Sequence, residues 1–130
     1  MRLLLDTHIW LWSLGQRDRL SKRVMAALMD PANELWLSPV SIWEILLLAG
    51  RGRIALDAPA PDWVERSLRA SAMREAALTY DVALRSASLK LATRDPADRF
   101  IAATAAVHGL ILVTADKQLS RTKEFAVLSN

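Results

Sequence analysis

Short apolar runs alternate along the chain with segments whose apolar residues recur at helical spacing. Leu3 to Leu5 are three consecutive leucines and predict a short buried strand ended by Asp6. Thr7 to Leu14 continues as a helix closing at Gly15, with a polar loop over Gln16 to Leu20. Ser21 caps a second helix carrying Val24, Met25, Leu28 and Met29 up to Asp30, and Pro31 and Asn33 break it. Leu35 to Leu37 predicts a second strand. Ser38-Pro39 opens a helix bearing Ile42, Trp43, Ile45, Leu46 and Leu48, which stops around Gly50-Arg51-Gly52. Ile54 to Pro61 is a linker, and Asp62 starts a helix through Met73. A short strand is expected at Ala76 to Thr79, and a helix capped by Asp81 runs through about Leu91. After a polar turn, Thr93 to Pro96, an alanine-rich helix spans Ala97 to His108 with Gly109 as its C-cap. Leu110 to Val113 is a third apolar run of strand type, Asp116 starts a short helix to about Arg121, and Phe125 to Leu128 is a last strand. This alternation predicts an α/β fold with a mostly parallel sheet flanked by helices on both faces, in one domain over residues 1–130.

Composition narrows the classes. The chain has 130 residues, 52% hydrophobic and 24% charged, which is the composition of a globular domain with one core. It has no cysteine, so disulfide frameworks and thiolate metal sites are excluded and a reducing, cytoplasmic setting is expected. The longest uncharged apolar run, Ile45 to Ala49, is far too short to span a membrane. Formal charge is +3, with basic clusters at Arg17, Arg19, Lys22 and Arg23, at Arg51 and Arg53, and at Lys117, Arg121 and Lys123. Each cluster reads as a solvated face. If acids elsewhere neutralise one another around a cation, the remaining surface favours a polyanion.

Four acids stand out by position. Asp6 ends the first strand, Glu44 is embedded in the apolar SIWEILLL, Asp98 begins the alanine-rich helix, and Asp116 follows LILV by three residues. Capping explains each aspartate taken singly, and the solvent stripe of its helix explains Glu44. In a parallel sheet, however, the first strand and LILV end on the same edge, the edge where ligands bind. Asp6 and Asp116 are therefore expected to be neighbours. Grouped carboxylates repel unless a cation or shared protons compensate. An oxygen-only donor set favours a hard cation, Mg²⁺ or Mn²⁺.

LLLDTHIWLW, SIWEI, DPADRFIAATA and LVTAD, in that order and spacing, resemble the PIN-domain ribonucleases, and specifically the VapC-type toxins of bacterial type II toxin–antitoxin pairs. The resemblance covers nearly the whole chain. It implies a three-layer α/β/α sandwich and a metal-dependent endoribonuclease whose acidic quartet is Asp6, Glu44, Asp98 and Asp116. It places Thr114 as a polar residue near that centre. It further implies an RNA substrate, a cognate antitoxin that carries the complex to DNA, and a homodimer.

On this reading Asp6, Asp98 and Asp116 hold Mg²⁺ or Mn²⁺, and Glu44 completes the pocket or acts as a base toward the attacking water. Asp95, preceding Pro96, is pushed to extended backbone and reads as an N-cap. Arg99 either contacts phosphate or forms a surface ion pair with Asp95 or Asp98. Thr7 and Ser41 are candidate donors to ligating oxygens, with helix-start capping the stronger reading for Thr7. His8 is expected to point away from Asp6. Trp10, Trp36 and Trp43 read as core, and Trp12 and Trp63 as interface candidates. The apolar sides of helices 39–50 and 62–73 would frame a groove for an amphipathic antitoxin segment. Two alternatives remain: a non-catalytic RNA- or protein-binding module on the same fold, and a Mg-binding receiver-like domain. A receiver would need an acidic pair after the first strand, where this chain has Asp6-Thr7-His8.

Overall fold

The computed structural model describes residues 1–130. Five strands form one sheet: β1 (Arg2–Leu5), β2 (Glu34–Leu37), β3 (Met73–Glu75), β4 (Ile111–Thr114) and β5 (Val127–Ser129). Their order is β3-β2-β1-β4-β5 and every pairing is parallel. Seven helices connect them: α1 (Thr7–Gly15), α2 (Lys22–Met29), α3 (Pro39–Gly50), α4 (Ala60–Ala70), α5 (Tyr80–Ser88), α6 (Pro96–His108) and α7 (Lys117–Ser120).

The connections explain the layers. From β1 to β2 to β3 the chain steps one way across the sheet, then returns past β1 to build β4 and β5. Parallel crossovers are right-handed, so reversing the direction of travel puts the later helices on the opposite face. The side chains of β1 divide accordingly, because successive residues of a strand face opposite ways. Leu3 and Leu5 pack with Ile9, Trp10, Val24, Ile45 and Val64, from α1 to α4. Leu4 packs on the other side with Val82, Ile101, Ala102 and Leu119, from α5 to α7. The three leucines thus serve both cores, which is why a buried parallel strand reads as a continuous apolar run. The result is a three-layer α/β/α sandwich. None of its helices is long and apolar enough to cross a membrane.

Several boundaries move from the sequence reading. The third strand is Met73–Glu75 and not Ala76 to Thr79, since register with β2 decides it: Leu35 pairs Met73 and Leu37 pairs Glu75. The Ala76 N–H still bonds Leu37 O at 2.9 Å, so the expected segment begins where the ladder ends. Helix α4 starts at Ala60 behind Pro59, not at Asp62. Helix α5 is capped by the Thr79 hydroxyl, not by Asp81. Gly15 is the last residue of α1 and Gln16 its cap. Gly109 does close α6, in the left-handed conformation at φ 63° that glycine adopts without a steric cost. Trp10 is core, but Trp43 is 54% exposed. Trp36 is only half-buried, with the Arg2 and Arg74 guanidiniums over its ring at 5.2 and 5.8 Å.

Candidate active site

The strand order reverses between β1 and β4, which pair directly, Leu3 with Ile111 and Leu5 with Val113. Crevices beyond the carboxyl ends of strands at such a reversal are where open α/β sheets bind ligands. Helices α1, α3 and α7 leave strands at this edge. Helix α6 begins at the same edge, because it must run back across the sheet before β4 can start. Four helix N-termini therefore face one place, and their free N–H groups offer partial positive charge to acids gathered there.

Asp6 prolongs the β1–β4 ladder, its N–H bonding Val113 O at 2.9 Å. Its side chain caps α1, Oδ1 accepting from the Thr7 N–H at 2.8 Å. Oδ2 accepts from the Thr114 hydroxyl at 2.7 Å. That hydroxyl in turn accepts the Asp116 N–H at 3.0 Å. Asp116 Oδ1 caps α7 through the Gln118 N–H at 2.7 Å and the Leu119 N–H at 3.4 Å. Thr114 is thus the link between the two aspartates, as the neighbour-strand argument required.

The α6 side repeats the device. Asp95 caps α6 by accepting the Asp98 N–H at 3.1 Å, and the Asp95 N–H donates to Thr93 Oγ1 at 3.2 Å. The buried Thr93 hydroxyl then donates to Asp98 Oδ2 at 3.3 Å. Thr93-Arg94-Asp95 and Thr114-Ala115-Asp116 are the same Thr-x-Asp turn before a helix, each with its threonine reaching a second aspartate. Thr93 went unnoticed in the sequence, although this repeated spacing was there to find it.

Glu44, one turn into α3, is half-buried at the same centre and not on a solvent stripe. Thr7 and Ser41 are fully buried, and the Thr7 hydroxyl donates to Ser41 Oγ at 2.9 Å, tying α1 to α3. Thr7 does not cap its helix; Asp6 does. The Thr7 hydroxyl also faces Glu44.

The electrostatics confirm that the acids share a field. Burial pushes the Asp6 carboxyl up; the Thr114 hydroxyl, the Thr7 N–H and the His8 charge oppose the rise, and Asp116 adds to it. Burial also raises Glu44, opposed by the Thr7 hydroxyl and His8 and reinforced by Asp6 and Asp95. Asp98 is pushed up to about 7, first by burial, then by Asp6, Asp95, Asp116 and Glu44. Asp6, Glu44, Asp98 and Asp116 are therefore brought together, and Asp95 is a fifth acid in the same field.

Arg99 is not part of this arrangement. Its guanidinium donates to Ser86 O at 2.9 Å, Thr93 O at 3.1 Å and Leu89 O at 2.7 Å. It clamps the α5–α6 connection by saturating backbone carbonyls that no helix or strand satisfies. The expected ion pair with Asp95 or Asp98 is not formed, and the guanidinium is engaged by backbone carbonyls.

All the donors at the centre are carboxylate or hydroxyl oxygens, which suits a hard cation. No three of the side chains close into a ready-made metal cage. Mg²⁺ does not require one, because it retains water and is commonly held by one or two carboxylates together with substrate phosphate. The uncompensated repulsion on Asp98 is the feature that a bound cation would relieve.

An α/β/α sandwich with acids gathered at its strand-reversal edge defines a class of parallel-sheet domains with a candidate ligand site at that edge. The PIN domain family model matches residues 3–125. Ribonuclease VapC22 of Mycobacterium tuberculosis is 36% identical over 118 residues, covering 90% of this chain and 88% of that protein. The chain belongs to the PIN domain family, within its VapC group. The fold also matches that of VapBC2 from Rickettsia felis bound to a promoter DNA fragment, at TM-score 0.73 and 14% identity over 99% of this chain and 98% of that one. It likewise matches FitAcB from Neisseria gonorrhoeae, at TM-score 0.67 and 24% identity over 98% and 96%. The receiver-like alternative is set aside by this family match.

Proposed function

We propose that this chain is a metal-dependent endoribonuclease acting in the cytoplasm as the toxin of a toxin–antitoxin pair. The observation that carries the reading is the delivery of Asp6, Glu44, Asp98 and Asp116 from four separate elements to one end of the sheet, with Asp98 pushed up to about 7 first by burial and then by Asp6, Asp95, Asp116 and Glu44. The named ribonuclease relative supports the activity, and the toxin–antitoxin complexes among its structural neighbours support the partner.

Asp6, Asp98 and Asp116 would hold Mg²⁺ or Mn²⁺. Such an ion supplies charge neutralisation at a phosphodiester and lowers the pKa of water. The chain's own contribution is positional. Thr114 orients Asp6, Thr93 orients Asp98, and the α7 N–H groups fix Asp116. Glu44, raised by burial and by Asp6, would take a proton from the attacking water. Because the acids are coupled, their titration belongs to the group and not to single residues.

An apolar cleft lined by Leu46, Ala49, Ile54, Leu56 and Pro61 lies between the end of α3 and the start of α4, and it suits an amphipathic antitoxin segment. DNA contact would come through that antitoxin. A homodimer completes the reading, for which exposed Trp43 on α3 and Tyr80 and Leu84 on α5 offer apolar surface.

The deciding experiment is cleavage of a fluorophore–quencher RNA with Mg²⁺ or Mn²⁺. Wild type cleaves and EDTA abolishes it, and Asp6→Ala and Asp98→Ala each lower the rate by at least about a hundredfold. Cleavage that survives both substitutions sinks the mechanism.

A further inference from the structure

A cleft of ≈ 840 Å³ does not contain the four acids but begins beside them. It starts at His8, two residues beyond Asp6, and runs between α1, the loop 53–57 and α4. Three planar groups line its α1 wall in sequence. The His8 ring lies 5.9 Å from the Trp12 ring, tilted by 52°. The Arg19 guanidinium lies 4.6 Å over the Trp12 ring. His8 and Trp12 are one helical turn apart, about 6 Å along the axis, so the ladder leads outward from the acidic centre.

The charge in the cleft is positive and partly uncommitted. Arg66 is paired with Asp57 at 2.6 Å. Arg19 and Arg53 form no ion pair; Arg19 only donates to the Gln16 side chain at 3.1 Å. A guanidinium over an indole ring is a charged partner for a further planar group, and the Arg53 guanidinium, without an ion pair, lines the same cleft. Planar π faces alternating with anions are the signature of a single nucleic-acid strand, whose unpaired bases stack on aromatic rings and arginine planes while its phosphates meet the cations. An apolar peptide would leave both arginines desolvated without partners.

We propose that this cleft is the subsite for single-stranded RNA flanking the scissile bond. One base stacks on Arg19, which lies over the Trp12 ring, and Arg53 takes an adjacent phosphate. The inference rests on the ribonuclease reading above and adds the direction in which the substrate leaves the acidic centre.

The test uses the full chain carrying Asp98→Asn, in EDTA, with a 5′-fluorescein 12-nucleotide mixed-sequence RNA read by fluorescence anisotropy, against the same strand in duplex. The single strand binds more tightly than the duplex. Arg19→Gln and Arg53→Gln, both surface changes, each weaken it about five- to tenfold and flatten the slope of log K against log salt by about 0.7. Arg19→Lys restores the salt slope but not the affinity, since the ammonium keeps the charge and loses the plane. In the active protein the same arginine variants raise KM for the RNA with kcat unchanged. Parent binding that is normal and indifferent to Arg19→Gln and Arg53→Gln overturns the subsite, assigns the cleft to a protein partner, and leaves the ribonuclease reading standing. A parent that neither binds nor, with Asp98 restored, cleaves RNA overturns both.

Discussion

Asp98 is the residue where the conflict in the site is concentrated. Its carboxyl is raised from an ordinary 3.8 to about 7, so the folded protein binds a proton there that the unfolded chain releases. The stability this proton confers is full below about pH 4 and is lost as pH rises through about 7. Metal-free protein should therefore become less stable across that window, and Asp98→Asn should flatten the trend. The carboxylate is only half-buried, and with solvent screening the variant gains roughly 1 kcal/mol at pH 8. Thermal melts in EDTA from pH 4 to 8 measure it; identical slopes in the two proteins would contradict the coupling. Thr114 holds the matching position on the other side. Thr114→Val removes both the donor to Asp6 and the acceptor for the Asp116 N–H. Stability should fall by about 1–3 kcal/mol in urea titrations. The Asp6 carboxyl, losing the largest contribution that opposes its burial, should rise further, so the acidic limb of the pH–rate profile moves to higher pH.

At the scale of elements, the site is made by helix starts. Asp6, Asp95 and Asp116 each cap a helix, and each capping turn fixes the register of the acidic centre. The capping reading and the catalytic reading were not competitors: one carboxylate does both, because a helix N-terminus both needs an acceptor and tolerates negative charge. Arg99 works at this scale too. With carbonyls from the end of α5 and the α5–α6 connection on its guanidinium, Arg99→Met removes three hydrogen bonds, Leu89 O keeping the Leu91 N–H at 3.2 Å, and should cost about 2–3 kcal/mol, read as a lower urea midpoint at unchanged m-value. If the midpoint does not move, the clamp is not holding that connection.

For the whole molecule, the four acids store repulsion that the fold tolerates because two cores hold the sheet edge in place. A cation bound at that edge stabilises only the folded state, by about 2.7 kcal/mol at a hundred times its Kd. Mg²⁺ or Mn²⁺ at pH 8 should therefore raise Tm, and Asp6→Asn should remove most of the gain. An unchanged Tm in the wild type over the range where RNA is cleaved would disconnect metal from the acidic centre.

The alternation of strands and helices was legible in the chain itself, apart from the residues of the third strand. Strand runs such as LLL and LILV, the caps at Ser21, Ser38, Asp95 and Asp116, and the stop at Gly109 are set by local hydrogen bonding and backbone sterics, which act within a few residues. Asp6 and Asp116 were legible as neighbours for the same reason, since a parallel sheet returns every helix start after a strand to one edge, whereas Glu44 and Asp98 joined them only through the family resemblance. Tertiary structure alone decided what depends on distant partners. Register with β2 put the third strand at Met73–Glu75, where the residues carry no strand pattern of their own. The α5–α6 connection claimed Arg99, Trp43 was left uncovered because no element packs over that side of α3, and the His8–Trp12–Arg19 ladder exists only because the turn after α1 folds back on it. A side chain's employment follows from which unsatisfied groups and which faces the fold brings within reach, and sequence spacing encodes that only when both partners lie in the same turn.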